Sequence, residues 1–326
     1  MTFDNQRINN DDNWDKTLID LENNLSEMII LSKNQNIDFS LLIKRIRNRY
    51  LKIKHNLIYS LNSQDRLSIA RHKKRPTTLD YINLICSDWI ELHGDYIGFD
   101  DKSIIAGLAK INDVNVVIIG HQKGRDTKEN IFRNFAMASP SGYRKALRLM
   151  KHANKFNMPI ITFVDTPGAS AGFEAEKSGQ GRAIALNLRE MFSLTVPLIS
   201  VIIGEGGSGG ALGISVSNYI MMLENAVYTV ATPEACASIL WKDVTKAIEA
   251  SESLKISAQD LLALDIIDEI IFESCGAAHQ DPPSIAKQLK ERILDKLHHF
   301  DEVSPCDIKD QRYKKFRKIG FYYEIN

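Results

Sequence analysis

The segment IIGEGGSGGALG, Ile202 to Gly213, carries the residue types and spacing that point most directly to chemistry. An apolar run of strand character enters the glycines Gly204, Gly206, Gly207, Gly209 and Gly210, and ALGISVS after them reads as a short helix. Glycine lets the backbone approach a ligand closely, and the first peptide N–H groups of a helix are free to hold an anion. Several readings of such a turn compete. Gly204, Gly206 and Gly209 match a dinucleotide fingerprint, with Glu224 twenty positions after Gly204 as its ribose partner. That match is weak, because the motif falls late in the chain and its helix spans only about two turns. Gly206, Ser208 and Gly210 match a nucleophile elbow, for which Asp243, Asp268 and His279 supply triad partners by order alone. In an oxyanion hole, the N–H groups of Gly209 and Gly210 would face an oxygen that gains charge, with no nucleophile needed. A purely structural glycine turn is the bland alternative. The oxyanion reading gains weight from IITFVD, a second strand that ends in a tight turn, Thr166 to Gly172. In parallel α/β packing both turns open on the same sheet edge.

The elements that must position these turns are legible in the pattern. IIAGLAKI, VNVVIIGH, IITFVD, PLISVIIG and YIMMLE read as strands, and GYRKALRLMKHANKF, RAIALNLREMF, ALGISVS and EACASIL as helices between or after them. The alternation predicts an α/β layer structure. Ahead of it, TLDYINLICSDWIEL reads as one helix with Leu79, Ile82, Ile85 and Trp89 on a face and Thr78 as N-cap. Further upstream, Trp14, Leu18, Leu21, Leu25 and Met28, then Phe39, Ile43, Ile46, Tyr50, Ile53 and Leu57, step by threes and fours, which predicts an antiparallel helical hairpin. The hairpin is either a lid on the chain's own core or a docking surface for a second subunit. The basic run RLSIARHKKRP, Arg66 to Pro76, reads as solvated charge, with phosphate binding as the sharper alternative. From about Ser257 the chain reads as helical, Pro282 and Pro283 mark a break before the last long helix, and QRYKKFRK is expected to face solvent.

Composition narrows the classes. The 41 Lys and Arg balance 41 Asp and Glu, so no global field draws in nucleic acid or an anionic membrane. Cys86, Cys236, Cys275 and Cys306 stand far apart, which predicts neither a metal site nor a disulfide framework and favours a reducing compartment. The polar N-terminus lacks an apolar leader and the Arg-rich character of a transit peptide, and no apolar run is long enough to span a bilayer.

GHQKGRDTKEN, NFAMASPSGYRKALRLM, PIITFVDTPGA, VIIGEGGSGGALG and PEACASILWK together resemble the carboxyltransferase alpha subunit of multisubunit acetyl-CoA carboxylase, over roughly Arg66 to Ile271. The resemblance implies an α/β, crotonase-like fold of superhelical strand-strand-helix repeats. It implies a helical hairpin and basic linker over 1–75, a carboxyltransferase core over 76–275 and a C-terminal helical extension over 276–326. It further implies transfer of a carboxyl group to acetyl-CoA, making malonyl-CoA for fatty acid synthesis. The donor would be carboxybiotin on a biotin carboxyl carrier protein, charged by an ATP-dependent biotin carboxylase. The partner would be a zinc-bearing beta subunit in an alpha2beta2 complex. Mapped here, Gly209 and Gly210 would hold the biotin ureido oxygen, Gly206 and Gly207 shape the turn, and Gly168 and Ala169 line the biotin entrance. Lys123 and Arg125 would meet phosphate or carboxylate groups or form a loop salt bridge. Two motifs depart from the family pattern: PGAYPG reads Pro167, Gly168, Ala169, Ser170, Ala171, Gly172, and SPEGCAS reads Thr232 to Ser238 with Ala235 in place of Gly. The richness in Ile, Asn and Lys suggests a plastid-encoded protein of the stroma, with a bacterial cytoplasm as the alternative. A serine hydrolase using Ser208 is the runner-up function, and a non-catalytic scaffold the third.

Overall fold

The computed structural model describes residues 61–273 and 276–320, so the expected hairpin of residues 14–57 and Cys275 lie outside the described residues. The chain begins with α1 (Ser63–Ala70), α2 (Thr78–Ile85), β1 (Asp88–Glu91), β2 (Ile104–Ile111), β3 (Val114–His121), α3 (Thr127–Phe132) and α4 (Pro140–Lys155). It continues with β4 (Ile160–Thr166), α5 (Phe173–Lys177), α6 (Gln180–Met191), β5 (Leu198–Gly207), α7 (Ser208–Ser215), β6 (Tyr219–Leu223) and β7 (Val227–Thr229). It ends with α8 (Pro233–Trp241), α9 (Ala247–Ser253), α10 (Ala258–Ala263), β8 (Glu269–Ile271), α11 (Pro282–Asp301) and α12 (Pro305–Lys318).

One sheet in the order β1-β2-β3-β4-β5-β6-β8 forms the centre, with β7 attached to β5 off that path. β2 and β3 make an antiparallel hairpin, and β3, β4, β5 and β6 run parallel. The near-continuous apolar runs of β4 and β5 are explained by burial on both faces, since every residue of both strands is buried. The crossover helix α4 starts with Pro140 at its first position and buries Tyr143, Ala146, Leu149, Met150 and Ala153, a stripe at helical spacing. β5 then forks. Its first half pairs with β6, Ile199 beside Tyr219, while Glu205, Gly206 and Gly207 pair with β7. The glycine-dense end is therefore held between β4 and β7, away from the ladder that carries the rest of the strand.

Four expectations need correction. The segment 78–92 is a helix only to Ile85, and Asp88–Glu91 form an edge strand on β2, with Trp89 beside Ala109. Its three-four spacing suits a helix, but cross-strand pairing won, aided by Gly107, where a Cβ would fall 2.1 Å from the Ile90 carbonyl oxygen. The N-cap of α2 is Thr77, which forms a capping box with Asp80, while Thr78 Oγ1 donates to the His121 carbonyl. The region expected to be helical from about Ser257 is interrupted by β8, Glu269–Ile271, which pairs with β6; like β7 it is three residues long, too short to show alternation. Finally, QRYKKFRK does not simply face solvent. Arg312 is fully buried on α12 and donates to the carbonyls of Met191, Leu194 and Val196 and to Asn218 Oδ1. Among the described residues, no helix is long and apolar enough to cross a membrane.

Candidate active site

The two turns meet on the C-terminal edge of the sheet, where Thr166 pairs with Gly206 beyond a register shift between Val164 and Thr166. Their backbones are in contact. A Cβ on Gly207 would stand 2.1 Å from the Pro167 carbonyl oxygen, and one on Gly210 would stand 2.5 Å from the Ala169 nitrogen. Only glycine permits this approach. Gly206 is equally confined, by the Tyr228 ring at 2.6 Å, whereas a Cβ on Gly209 would make only ordinary contact with Ile184 at 3.8 Å. Gly206, Gly207, Gly209, Gly210, Gly168 and Ala169 thus come together. The facing turn is fixed from behind: Thr166 Oγ1 donates to the Gly168 carbonyl, and Gln180 Nε2 donates to the carbonyls of Ala138 and Ser170.

α7 starts at this junction. The first amides of a helix have no acceptor within it. Among the described residues, no backbone hydrogen bond outside the helix is donated by Gly209 or Gly210. Gly210 is buried, Gly209 half-buried and Ser208 exposed, so the start of α7 reaches the surface. Tyr143 braces the helix from α4, its OH donating to the Gly210 carbonyl at 3.2 Å and its ring filling the space a Cβ on Gly213 would need. His121, fully buried at the end of β3, lies near Gly210, and neither ring nitrogen has a hydrogen-bond partner of normal geometry. Burial first, and Lys123 second, push its imidazole down to about 3, so it is neutral at physiological pH.

A cleft of ≈ 490 Å³ opens on the other residues of interest, lined in part by Arg71, Lys123, Arg125, Asp165, Pro167 and Glu205. Lys123 Nζ lies 2.7 Å from Asp165 Oδ1 and 2.9 Å from Glu205 Oε2. Arg71 bridges Glu205, at 2.8 Å, to Glu234 of α8, at 3.0 Å. Burial alone would raise the Glu205 carboxyl, but Lys123 and Arg71 overcome it and hold the group below its ordinary value. Arg125 stands apart and pairs with Asp80. The carboxylates that Lys123 and Arg125 meet are therefore the chain's own. Asp165, Glu205, His121 and Tyr143 escaped the sequence reading, since the first three sit at or near the ends of apolar strand runs, Tyr143 lies in the first turn of α4, and no local pattern marks any of them.

The basic run departs from the solvated reading. Arg66 is buried against Asn225 Oδ1 and the Glu224 carbonyl, and Arg75 donates in bidentate fashion to Glu273 and to the Ile203 carbonyl. Residue 235 lies inside α8 and not in a turn, so alanine suits it, and Thr232 caps that helix through the Ala235 amide.

Neither alternative chemistry assembles. Asp268 accepts from Ile220 N–H at the opposite edge of the sheet, roughly 26 Å along the strands from Ser208 at about 3.3 Å per residue. Asp243 is engaged with Thr245 beyond α8. The dinucleotide reading requires Glu224 free for a ribose, but it is buried and accepts from the Glu273 amide.

Strand-strand-helix units around a central sheet, with two glycine turns meeting at one edge, make an α/β, crotonase-like architecture. Solved structures agree at the level of fold. The chain superposes on transcarboxylase 12S with a TM-score of 0.52 at 20% identity, covering 64% of this chain and 40% of that one. A Pseudomonas malonate decarboxylase hetero-tetramer in complex with coenzyme A gives 0.54 at 14% identity, over 64% and 84% of the two chains. Residues 12–320 match the family described as acetyl co-enzyme A carboxylase carboxyltransferase-like, and the chain belongs to that family. Acetyl-coenzyme A carboxylase carboxyl transferase subunit alpha of Cyanidium caldarium is 60% identical over 279 residues, 86% of each chain. The subunit of that name from Synechocystis sp. (strain ATCC 27184 / PCC 6803 / Kazusa) is 53% identical over 311 residues, 95% of each chain.

Proposed function

We propose that this chain is the alpha-type subunit of the carboxyltransferase that makes malonyl-CoA from acetyl-CoA for fatty acid synthesis, with carboxybiotin on a carrier protein as donor. The observation that carries the reading is near-full-length identity of 53% to a relative of that name, joined to a glycine junction at the start of α7. Carboxybiotin supplies an activated carboxyl group whose departure leaves negative charge on the ureido oxygen. The chain's task is to hold that charge. The amides of Gly209 and Gly210, without acceptors of their own, are suited to the oxyanion, while Gly206 and Gly207 let β5 turn against Pro167. Gly168 and Ala169 form the facing wall. The biotin group, when bound, would supply both the carboxyl carbon as CO2 and the base that takes the acetyl methyl proton, and the enolate so formed would bond to that CO2, so no side-chain base is needed from this chain. His121, kept neutral beside Gly210, adds no competing charge.

The same reading assigns a zinc-bearing beta subunit in an alpha2beta2 assembly, a biotin carboxyl carrier protein and an ATP-using biotin carboxylase as partners. The setting is the plastid stroma or a bacterial cytoplasm. Among the described residues no cluster of His, Cys, Asp or Glu is placed to hold a metal ion. Reconstitution tests the proposal. The isolated chain should form no malonyl-CoA, and addition of the second carboxyltransferase subunit with carboxylated carrier should restore it. Full activity of the chain alone would overturn the assignment.

A further inference from the structure

We propose that Lys123 acts with Asp165 and Glu205 as a positioning device for the glycine turn and makes no contact with the substrates, an inference that rests on the carboxyltransferase reading above. The starting observation is the register break between β4 and β5. The strands pair regularly up to Val164 with Ile202 and resume at Thr166 with Gly206, which leaves Asp165 without a ladder partner. At that break the Glu205 amide donates to Asp165 Oδ1 at 2.9 Å, so a side chain takes the place of a backbone carbonyl. The approach is close. A Cβ on Gly204 would stand 2.3 Å from the same oxygen. The placement of the residues just beyond, Gly206 to Gly210, is therefore set by a carboxylate and not by the ladder alone.

A carboxylate used in this way needs its charge balanced, because Glu205 brings a second one to the same place. Lys123 Nζ sits between them, at 2.7 Å from Asp165 and 2.9 Å from Glu205. Burial works against the ammonium, yet the two carboxylates hold its proton more firmly than usual. The cluster thus ties together the ends of three adjacent strands, since Lys123 follows β3 by two residues, Asp165 lies in β4 and Glu205 in β5. Arg71 carries the connection to Glu234 in the first turn of α8. Both faces of the glycine junction are referred to one ion group, in which the two carboxylates are buried while Lys123 and Arg71 line the cleft, and both cations are already committed to those carboxylates.

Without Lys123 the two buried carboxylates repel, and the Glu205 amide must shift or one acid must take up a proton. The test uses the reconstituted carboxyltransferase with Lys123→Met and with the charge-balanced double variant Lys123→Met/Asp165→Asn. Lys123→Met is expected to lower kcat by about a hundred-fold, the effect of a displacement near 1 Å, with KM for acetyl-CoA and for the carrier little changed. Its rate should rise as pH is lowered, because a bound proton then replaces the ammonium, a response the parent lacks. The double variant should recover about ten-fold or more of the lost kcat, through coupling between contacting residues. A KM that rises while kcat holds, or a double variant no better than the single, would overturn the proposal. Should Lys123→Met not accumulate as folded protein, the double variant alone decides, since lost substrate contact raises its KM and a positioning role does not. Gly210→Ala retaining full kcat would sink the anion-cradle reading instead, whatever the Lys123 variants do.

Discussion

Gly210 lies against the backbone of Gly168, such that a Cβ at position 210 would stand 2.5 Å from the Gly168 carbonyl carbon. Real side chains do not occupy such a space, and the obstacle is backbone that cannot swing away. Gly210→Ala is therefore expected to push the start of α7 from the facing turn and to lower kcat by about 10²- to 10³-fold, the usual effect of losing one oxyanion donor. Gly209→Ala is the control for folding: its Cβ meets only Ile184, at 3.8 Å, and the helix should gain up to about 0.5 kcal/mol. Steady-state malonyl-CoA formation and urea unfolding of both variants check the pair, and equal activities would contradict the steric argument.

Ser208 sits at a positive φ of 49° at the first position of α7, exposed to solvent. Because Asp268 lies at the far end of the strands and Asp243 is engaged with Thr245, Ser208→Ala should keep most of the carboxyltransferase rate, and a fluorophosphonate should leave the parent protein unlabelled. Ser208→Gly relieves the left-handed backbone and is expected to stabilise the fold by up to about 1 kcal/mol. Stoichiometric labelling of Ser208 would revive the hydrolase reading.

The pH dependence of stability has two separable limbs. The unfolded His121 imidazole binds a proton below its ordinary 6.5, whereas the buried one does so only near 3. Its contribution is therefore complete above pH 6.5 and is lost as pH falls toward 3. Glu273 behaves in the carboxylate sense: burial opposes its ionisation, but buried Arg75 holds it below the ordinary 4.5. Its stabilisation is present above pH 4.5 and is lost as pH drops further. Urea midpoints from pH 8 to 4 should show His121→Gln flattening the limb between 6.5 and 4.5, and Glu273→Gln changing only the limb below. An unchanged upper slope in His121→Gln would remove the imidazole from the account.

Among the described residues Arg312 has no carboxylate partner in its cage of carbonyls and Asn218, and burial pushes its guanidinium down to about 10. It anchors α12 across Met191, Leu194 and Val196, beside the edge-to-face contact of Phe316 with Phe192. Arg312→Met strands several buried acceptors and is expected to cost about 3 kcal/mol in urea unfolding. A loss near zero would mean that water replaces the guanidinium.

The elements that bracket the site were legible because each rests on a local pattern. β4 and β5 are apolar runs broken by Pro197 and by glycine, and α4 carries a stripe that only a helix can bury. The junction of the two turns followed from them, since parallel neighbouring strands end on one edge. Where the local signal was ambiguous, partners decided: Asp88–Glu91 fits a helix by spacing but pairs with β2, and β7 and β8 exist only because other strands offer them hydrogen bonds.

The sequence by itself determined the strand-helix alternation, the glycine-dense bend before α7 and the family to which the motifs belong, because these are properties of spacing along one chain. Only the tertiary structure decided what the charged residues do. Arg66, Arg71, Arg75, Lys123 and Arg312 look alike as cations in one dimension, yet each is committed to acceptors between 42 and 198 residues away in the folded chain, among them Asp165, Glu205, Glu273 and the carbonyls behind α6. The reason is physical: a charge enters the interior only where distant groups converge to satisfy it, and that convergence has no period in the sequence.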